Sequence, residues 1–362
     1  AATGTSLRGT RVVEGGEDWA PASLLALAHT CATSWRLPPQ LASVAADALD
    51  SRGAALDKSA AQAPLPDGEL SLLAFAAPGA EPCLLAGDGR LLSALWKPAG
   101  WTVTVGFEDA DADDVAWIAP SPSAEELGET ATDRESASAA AGGRPQGSKS
   151  LQDWVTRNLG RAHPVAADAL MQHGLLHRLD RDTSGPLAWA ASYRGYFLGL
   201  LEFGLQRVRK EYVCLCVGHA SSMPKLLESP LEAIRSADGL KRSVVSSRGS
   251  EACTEVCAVG SLLTPEGQAT SIVVVRLRSG RLHQIRAHLG HEGHPLVGDA
   301  LYGSGGVPWC PRIFLHSYRL ALDIGEGCPL DVSCSLPCDL QTALSTTQAS
   351  DLRARTVRLG FH

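Results

Sequence analysis

Residues 106–149 constrain this chain more than any other stretch, because they cannot belong to a core. The stretch opens on acids, continues in Ser, Ala, Gly and Thr, and ends Gly142-Gly143-Arg144-Pro145-Gln146-Gly147. Such a composition cannot offset the entropy of ordering, so it predicts a disordered loop. Structure resumes at once after it. Ser150 reads as an N-cap with Asp153 three residues on, Leu151, Trp154, Val155 and Leu159 share one helical face, and Gly160 stops the helix.

Charge is split in the same way. Segment 101–140 holds ten acids against the single base Arg134, whereas 171–320 holds 17 Lys/Arg against 12 Asp/Glu, with eight histidines besides. The net charge of −7 argues against a uniformly basic nucleic-acid binder, yet the second segment can meet a polyanion locally. At 362 residues and 44% hydrophobic, the chain is long enough for two domains without disulfides or a metal. No apolar run approaches the roughly 18–20 residues of a membrane span, and residues 1–20 show no secretory signal. The ten cysteines include no CxxC pair. The expectation is buried, reduced thiols in an intracellular protein; cytoplasm, mitochondrion and plastid are not distinguished.

Residues 20–50 carry a helical period, with Pro38–Pro39 separating two helices. Ser23–Ala28 returns in similar form as Ser71–Ala76. Two readings stand: two amphipathic helices, or a repeat array that resembles the degenerate helical repeats of organellar RNA-binding proteins. From about 173 strands and helices mix. Leu175–Leu179, Pro186–Ala191, Glu211–Val217, Ser271–Arg278 and Phe314–Leu322 read as strands, with Glu211–Val217 central because it is apolar on both faces. Tyr193–Gln206 and the stripe Leu282, Ile285, Leu289 read as helices. The alternation has no βαβ rhythm, which predicts an α+β fold.

Three stretches carry polar groups worth singling out. His177-Arg-Leu-Asp-Arg-Asp-Thr-Ser-Gly185 reads, by local chemistry alone, as a capped tight turn. In Ser279-Gly-Arg-Leu-His-Gln-Ile-Arg-Ala-His288, Arg286 lies at the edge of an apolar stripe. It either points into a pocket with a carboxylate partner or covers the core edge with its stem. Lys210-Glu-Tyr-Val starts the central strand, with Tyr212 on the face of Cys214 and Cys216. Taken together and in this order, the three resemble the RluA-type family of RNA pseudouridine synthases. Lys97-Pro-Ala-Gly100, Ala252-Cys-Thr254, His294-Pro-Leu-Val-Gly-Asp299 with Leu301-Tyr-Gly303, and Leu315-His316 are similar to further blocks of that family.

The resemblance implies a mixed, largely antiparallel central sheet flanked by helices, spanning 91–340 and interrupted at 106–149. A helical, repeat-like extension at 1–90 would precede it and a tail at 341–362 would follow. It implies isomerisation of uridine to pseudouridine in RNA, with no cofactor and no metal. Asp180 would be the catalytic carboxylate, Tyr212 the ring that stacks on the target base, and Arg286 the ion-pair partner of Asp180. Arg178 would fill the gap left by the flipped base. Arg181, Lys210, Arg281, His283, Arg207 and Arg209 are the further RNA-contact candidates, with Lys241, Arg242 and Arg248 beside them. Ribosomal RNA is the first expected partner and transfer RNA the next; neither a membrane nor an obligate protein partner is expected. Pro186 departs from the pattern, and a proline there implies an edge or a bulge. Two competing readings are a weakly active RNA-binding pseudoenzyme and a metal-dependent hydrolase built on His283, His288, His291 and His294. The second is opposed by spacing, since His291-Glu-Gly-His294 is one residue short of HExxH.

Overall fold

The computed structural model describes residues 39–61, 77–103, 149–235, 241–303, 305–325, 327, 329–350 and 355–357. The helical reading before Pro38, the repeat at 71–76 and the acidic stretch up to 148 lie outside these described residues.

Helix α1 (Pro39–Ala61) begins on a proline, which suits a first helical turn that needs no N–H donor. Strands β1 (Cys83–Gly87), β2 (Leu92–Lys97), β3 (Trp101–Thr102) and β4 (Lys149–Ser150) follow. In α2 (Leu151–Leu159) the Ser150 hydroxyl accepts the Asp153 amide, the cap read from the sequence. Then come the single turn α3 (Pro164–Ala167), β5 (Gly185–Ala190), α4 (Tyr193–Gly204) and β6 (Arg209–Val217). The short β7 (Leu226–Leu227) leads to a hairpin of β8 (Leu231–Arg235) and β9 (Lys241–Val245). The chain continues through β10 (Thr254–Leu263), β11 (Ala269–Leu277), α5 (Gln284–His291), β12 (Leu315–Leu322), β13 (Leu330–Ser333), α6 (Cys338–Ser345) and β14 (Gln348–Ala349).

The larger sheet runs β13-β12-β6-β11-β10-β14, with β7 also on β10, and its strands pair antiparallel. β6 is interior, as its two-faced apolar sequence requires. Alternation sends Tyr212, Cys214 and Cys216 into one core with Val273, Val275 and Ile285. Val213 and Leu215 enter another, with Phe314, Leu340 and Leu344. The smaller sheet, β1-β2-β5, is antiparallel and places Pro186 on the outer strand of that order, opposite Trp96. A bridge from Ser184 to His316 joins the segment before β5 to β12. Helices packed on a largely antiparallel sheet make this an α+β fold. β3 and β4 form a two-residue parallel pair, so the two ends of the acidic stretch meet.

Three sequence expectations need correction. Leu175–Leu179, buried except for the exposed Arg178, is not a strand; only Leu175 bridges Trp189. The ladder stops because the His177 ring, and not a backbone carbonyl, accepts the Ala188 amide at 3.0 Å. Segment 1–90 is not wholly helical, since β1 lies within it and pairs with β2. Nor does α1 stand apart: Asp57 accepts the amides of Tyr193 at 2.9 Å and Arg194 at 3.1 Å, capping α4. A side chain at Gly53 would collide with the Arg194 backbone, so glycine permits that close approach. Segment 341–362 is not simply a tail. Helix α6 buries Leu340, Ala343 and Leu344, and β14 pairs with β10.

Candidate active site

Asp180 sits in the turn that feeds β5, with its side chain one-fifth exposed. The Thr183 amide closes the turn on the Asp180 carbonyl at 3.0 Å. The next carbonyls are held from outside. Lys97, fully buried at the end of β2, donates to Arg181 O at 2.9 Å, Thr183 O at 2.7 Å and Pro98 O at 3.0 Å. Gly100 N also donates to Arg181 O, at 2.8 Å. Burial pushes the Lys97 ammonium down to about 7, while Asp180 and Asp182 pull it back up. Its three carbonyl acceptors match the three hydrogens that only the charged form supplies. The Lys-Pro-Ala-Gly block thus acts as a buried cation threaded through the turn.

Arg286 stands in the first turn of α5 and faces two carboxylates. Its Nη1 lies 3.3 Å from Asp180 Oδ2. Its firmer contact is two-pronged, Nε to Asp299 Oδ2 at 2.9 Å and Nη2 to Asp299 Oδ1 at 3.0 Å. Asp299 is fully enclosed and also accepts the amides of Leu301 and Tyr302 at 2.9 and 3.1 Å. Burial alone would raise the Asp299 carboxyl; the guanidinium and the two amides outweigh it and hold the group below its ordinary range. The Tyr302 ring lies under the Arg286 guanidinium, 5.0 Å from ring centre to carbon. Its hydroxyl accepts the Ser243 amide of β9 at 2.7 Å, and burial raises that hydroxyl to about 12. His283 takes left-handed backbone angles ahead of α5. That places Nε2 4.0 Å from Asp180 Oδ2 and Nδ1 3.2 Å from the Tyr302 oxygen. Burial lowers the His283 pKa, against the pull of Asp180.

Tyr212 lies in the core beneath this cluster, 5% exposed, with Ser317 of β12 opposite it. Burial and the charge of Asp180 raise its hydroxyl. Asp180, Tyr212, Arg286 and His283 therefore come together, although they arise from three separate stretches. Arg178 is exposed, and its charge reaches His283. Arg181 turns outward onto Asp182 at 3.0 Å. Lys210 shares the Tyr212 face of β6 and lines a hollow with Phe203, Gln206, Val208 and Ser279–Arg281. Its ammonium, 5.6 Å from the Phe203 ring centre, is pushed down to about 8 by burial and by Arg281. Arg281 donates to Glu251 O at 2.9 Å.

Two candidates fall elsewhere. Arg209 bonds Glu211 at 2.7 Å, and Arg276 bonds the same oxygen at 2.8 Å. Strand alternation puts that cluster on the face of β6 opposite Tyr212. Arg207 pairs with Glu202 at 3.3 Å. The clustered histidines also separate: His288 meets Thr254 and Ser229 O, and His294 meets Val217 O. Among the described residues no group of three or more His, Cys, Asp or Glu converges as a metal site would require.

Sequence reasoning missed the roles of Asp299, Tyr302 and Lys97, although all three lie inside quoted blocks. The available signal was chemical: an arginine at the edge of a buried stripe needs a carboxylate, and Asp299 is thirteen residues away.

Residues 161–291 match the family model described as RNA pseudouridylate synthase. A ribosomal large subunit pseudouridine synthase D of Borreliella burgdorferi is 32% identical over 155 residues, covering 42% of this chain and 46% of that protein. An uncharacterized RNA pseudouridine synthase of Zymomonas mobilis is 31% identical over 166 residues, 45% of this chain and 73% of that protein. Human RNA pseudouridylate synthase domain containing 1, a solved structure, aligns over 79% of this chain and 98% of its own, with a TM-score of 0.49 and 20% identity. The chain spans about half the length of the Borreliella relative, and residues 161–291, matched by the family model, hold Asp180, Tyr212 and Arg286. On the sequence match to these relatives, the chain belongs to the RluA-like family of RNA pseudouridine synthases.

Proposed function

We propose that the chain isomerises uridines in RNA to pseudouridine, with Asp180 as the reacting carboxylate. One observation carries this reading. A partly exposed carboxylate is held by an arginine that is itself locked to a buried Asp299, and its charge reaches the enclosed Tyr212. In the reaction the N1–C1′ bond breaks, C5 bonds to C1′, the C5 proton leaves and N1 gains one. Atoms and electrons balance without a redox partner or group donor, so the reading requires no cofactor. Asp180 either attacks C1′ or removes the 2′ proton, with the Arg286 guanidinium 3.3 Å from its Oδ2.

Reaching such a carboxylate requires the nucleotide to leave its stack, at a cost of a few kcal/mol, less in a loop. Arg178, which is exposed, would fill the vacated space, since guanidinium planes stack on bases. Tyr212 supplies the flat surface for a detached uracil, and its covering side chains must give way when RNA enters. Ribosomal RNA is the first substrate class to test and transfer RNA the second, in an intracellular setting; of the described cysteines, Cys257 and Cys338 are exposed and not buried as expected.

The test is tritium release from RNA labelled at uracil C5, followed by chemical mapping of pseudouridine. The wild-type chain should release tritium and Asp180→Asn should not. Turnover surviving in Asp180→Asn would refute its role. No release from total ribosomal or transfer RNA would refute the substrate assignment.

A further inference from the structure

The turn carrying Asp180 has a second external anchor, on an element that the isomerase reading does not use. Arg312, on the segment before β12, sends Nη1 to Asp182 O at 2.8 Å and Nη2 to the Ser184 hydroxyl at 3.0 Å. Its other edge is held by Asp339 in the first turn of α6, Nε to Oδ2 at 2.6 Å and Nη2 to Oδ1 at 3.3 Å. Asp339 also accepts the Leu340 amide at 2.8 Å, which fixes its rotamer. The Ser184 hydroxyl meets His316 Nδ1 at 3.0 Å on its remaining side.

Together with Lys97, three consecutive carbonyls, those of residues 181, 182 and 183, are taken by cations in the order lysine, arginine, lysine. No peptide of the turn can rotate without stranding a buried donor, which costs the full desolvation of that group. Arg312 does not touch the Asp180 carboxylate. It acts on the backbone that aims it.

We propose that Arg312 and Asp339 form a positioning clasp through which α6 sets the reach of Asp180. The proposal rests on the isomerase reading, and its structural arm stands apart from that reading. Asp339 is 39% exposed on a surface helix, so its replacement leaves the core intact. Without it, Arg312 keeps its charge, loses its brace and no longer fixes the 182 carbonyl.

Asp339→Ala and Asp339→Asn should lower kcat about tenfold with KM within about twofold, the signature of a misaimed group. Arg312→Met should lower kcat further, and Arg312→Lys should recover part of the loss. Hydrogen exchange at the amides of 181–184 should accelerate in Asp339→Ala while the strands of the larger sheet stay protected. Unchanged kcat together with unchanged exchange would overturn the clasp. So would a kcat loss accompanied by exchange spread over the whole domain, which marks plain destabilisation. If the wild-type chain releases no tritium from any RNA, the isomerase reading fails, and the exchange measurement still decides whether the clasp exists.

Discussion

At the scale of single residues, Asp299 is the pivot. Four N–H groups converge on one enclosed carboxylate, and Arg286 belongs to it before it belongs to Asp180. Asp299→Asn keeps the shape and removes the charge. It should destabilise folding by about 3–5 kcal/mol, the range for breaking a buried pair, seen as a lower urea midpoint. A midpoint equal to that of the wild type would contradict the priority given to this pair. Histidines set the acid limit. Burial pushes His316 down to about 4 and His177 to about 3. An unfolded histidine binds its proton near pH 6.5, so between these values the unfolded chain holds more protons than the folded one. Stability is therefore complete above about pH 6.5 and falls on acidification toward 4, by about 1.4 kcal/mol per pH unit for each histidine. Thermal midpoints measured from pH 7.5 to 4.5 should decline across that window; a flat profile would show that both rings are protonated or exposed.

At the scale of elements, helix ends are the places to probe. Ser150→Ala removes the cap of α2 and should cost about 1 kcal/mol without altering the site, checked by denaturation alongside activity. That cap was legible from the sequence because Ser, Asp and the apolar stripe agree within ten residues. β6 was legible for a related reason, since an interior strand must be apolar on both faces. Leu175–Leu179 misled because a buried extended run and a strand share one pattern; what separates them is a histidine ring intercepting a single amide. Asp180, Tyr212 and Arg286 could be gathered from the order of their blocks. The hold of Lys97 and Arg312 on carbonyls of the turn could not, because backbone acceptors carry no residue identity. The extent of β1 and α6 was obscured likewise, as short elements gain their stability from neighbours distant in the chain.

At the scale of the whole molecule, the distribution of charge sorts useful cations from committed ones. The Lys210 ammonium faces Ser279 O at 3.5 Å and the Phe203 ring, whereas Arg209 shares Glu211 with Arg276 on the far face of the sheet. Replacing Lys210 by Met should therefore reduce the slope of log affinity against log salt by about 0.7, one single-strand phosphate contact. Arg209→Met should leave that slope unchanged; equal effects would remove the distinction. The meeting of β3 and β4 has a different consequence. Lys97 is covalently part of the sequence before the acidic stretch, yet the carbonyls of residues 181 and 183 that it grips belong to the sequence after it. A protease cut anywhere from 104 to 148 thus leaves two polypeptides, with α1, β1, β2 and β3 on the first and the turn of Asp180 on the second. They should co-elute as one particle, and neither piece expressed alone should shape that turn, which makes this protein a natural candidate for complementation from split halves.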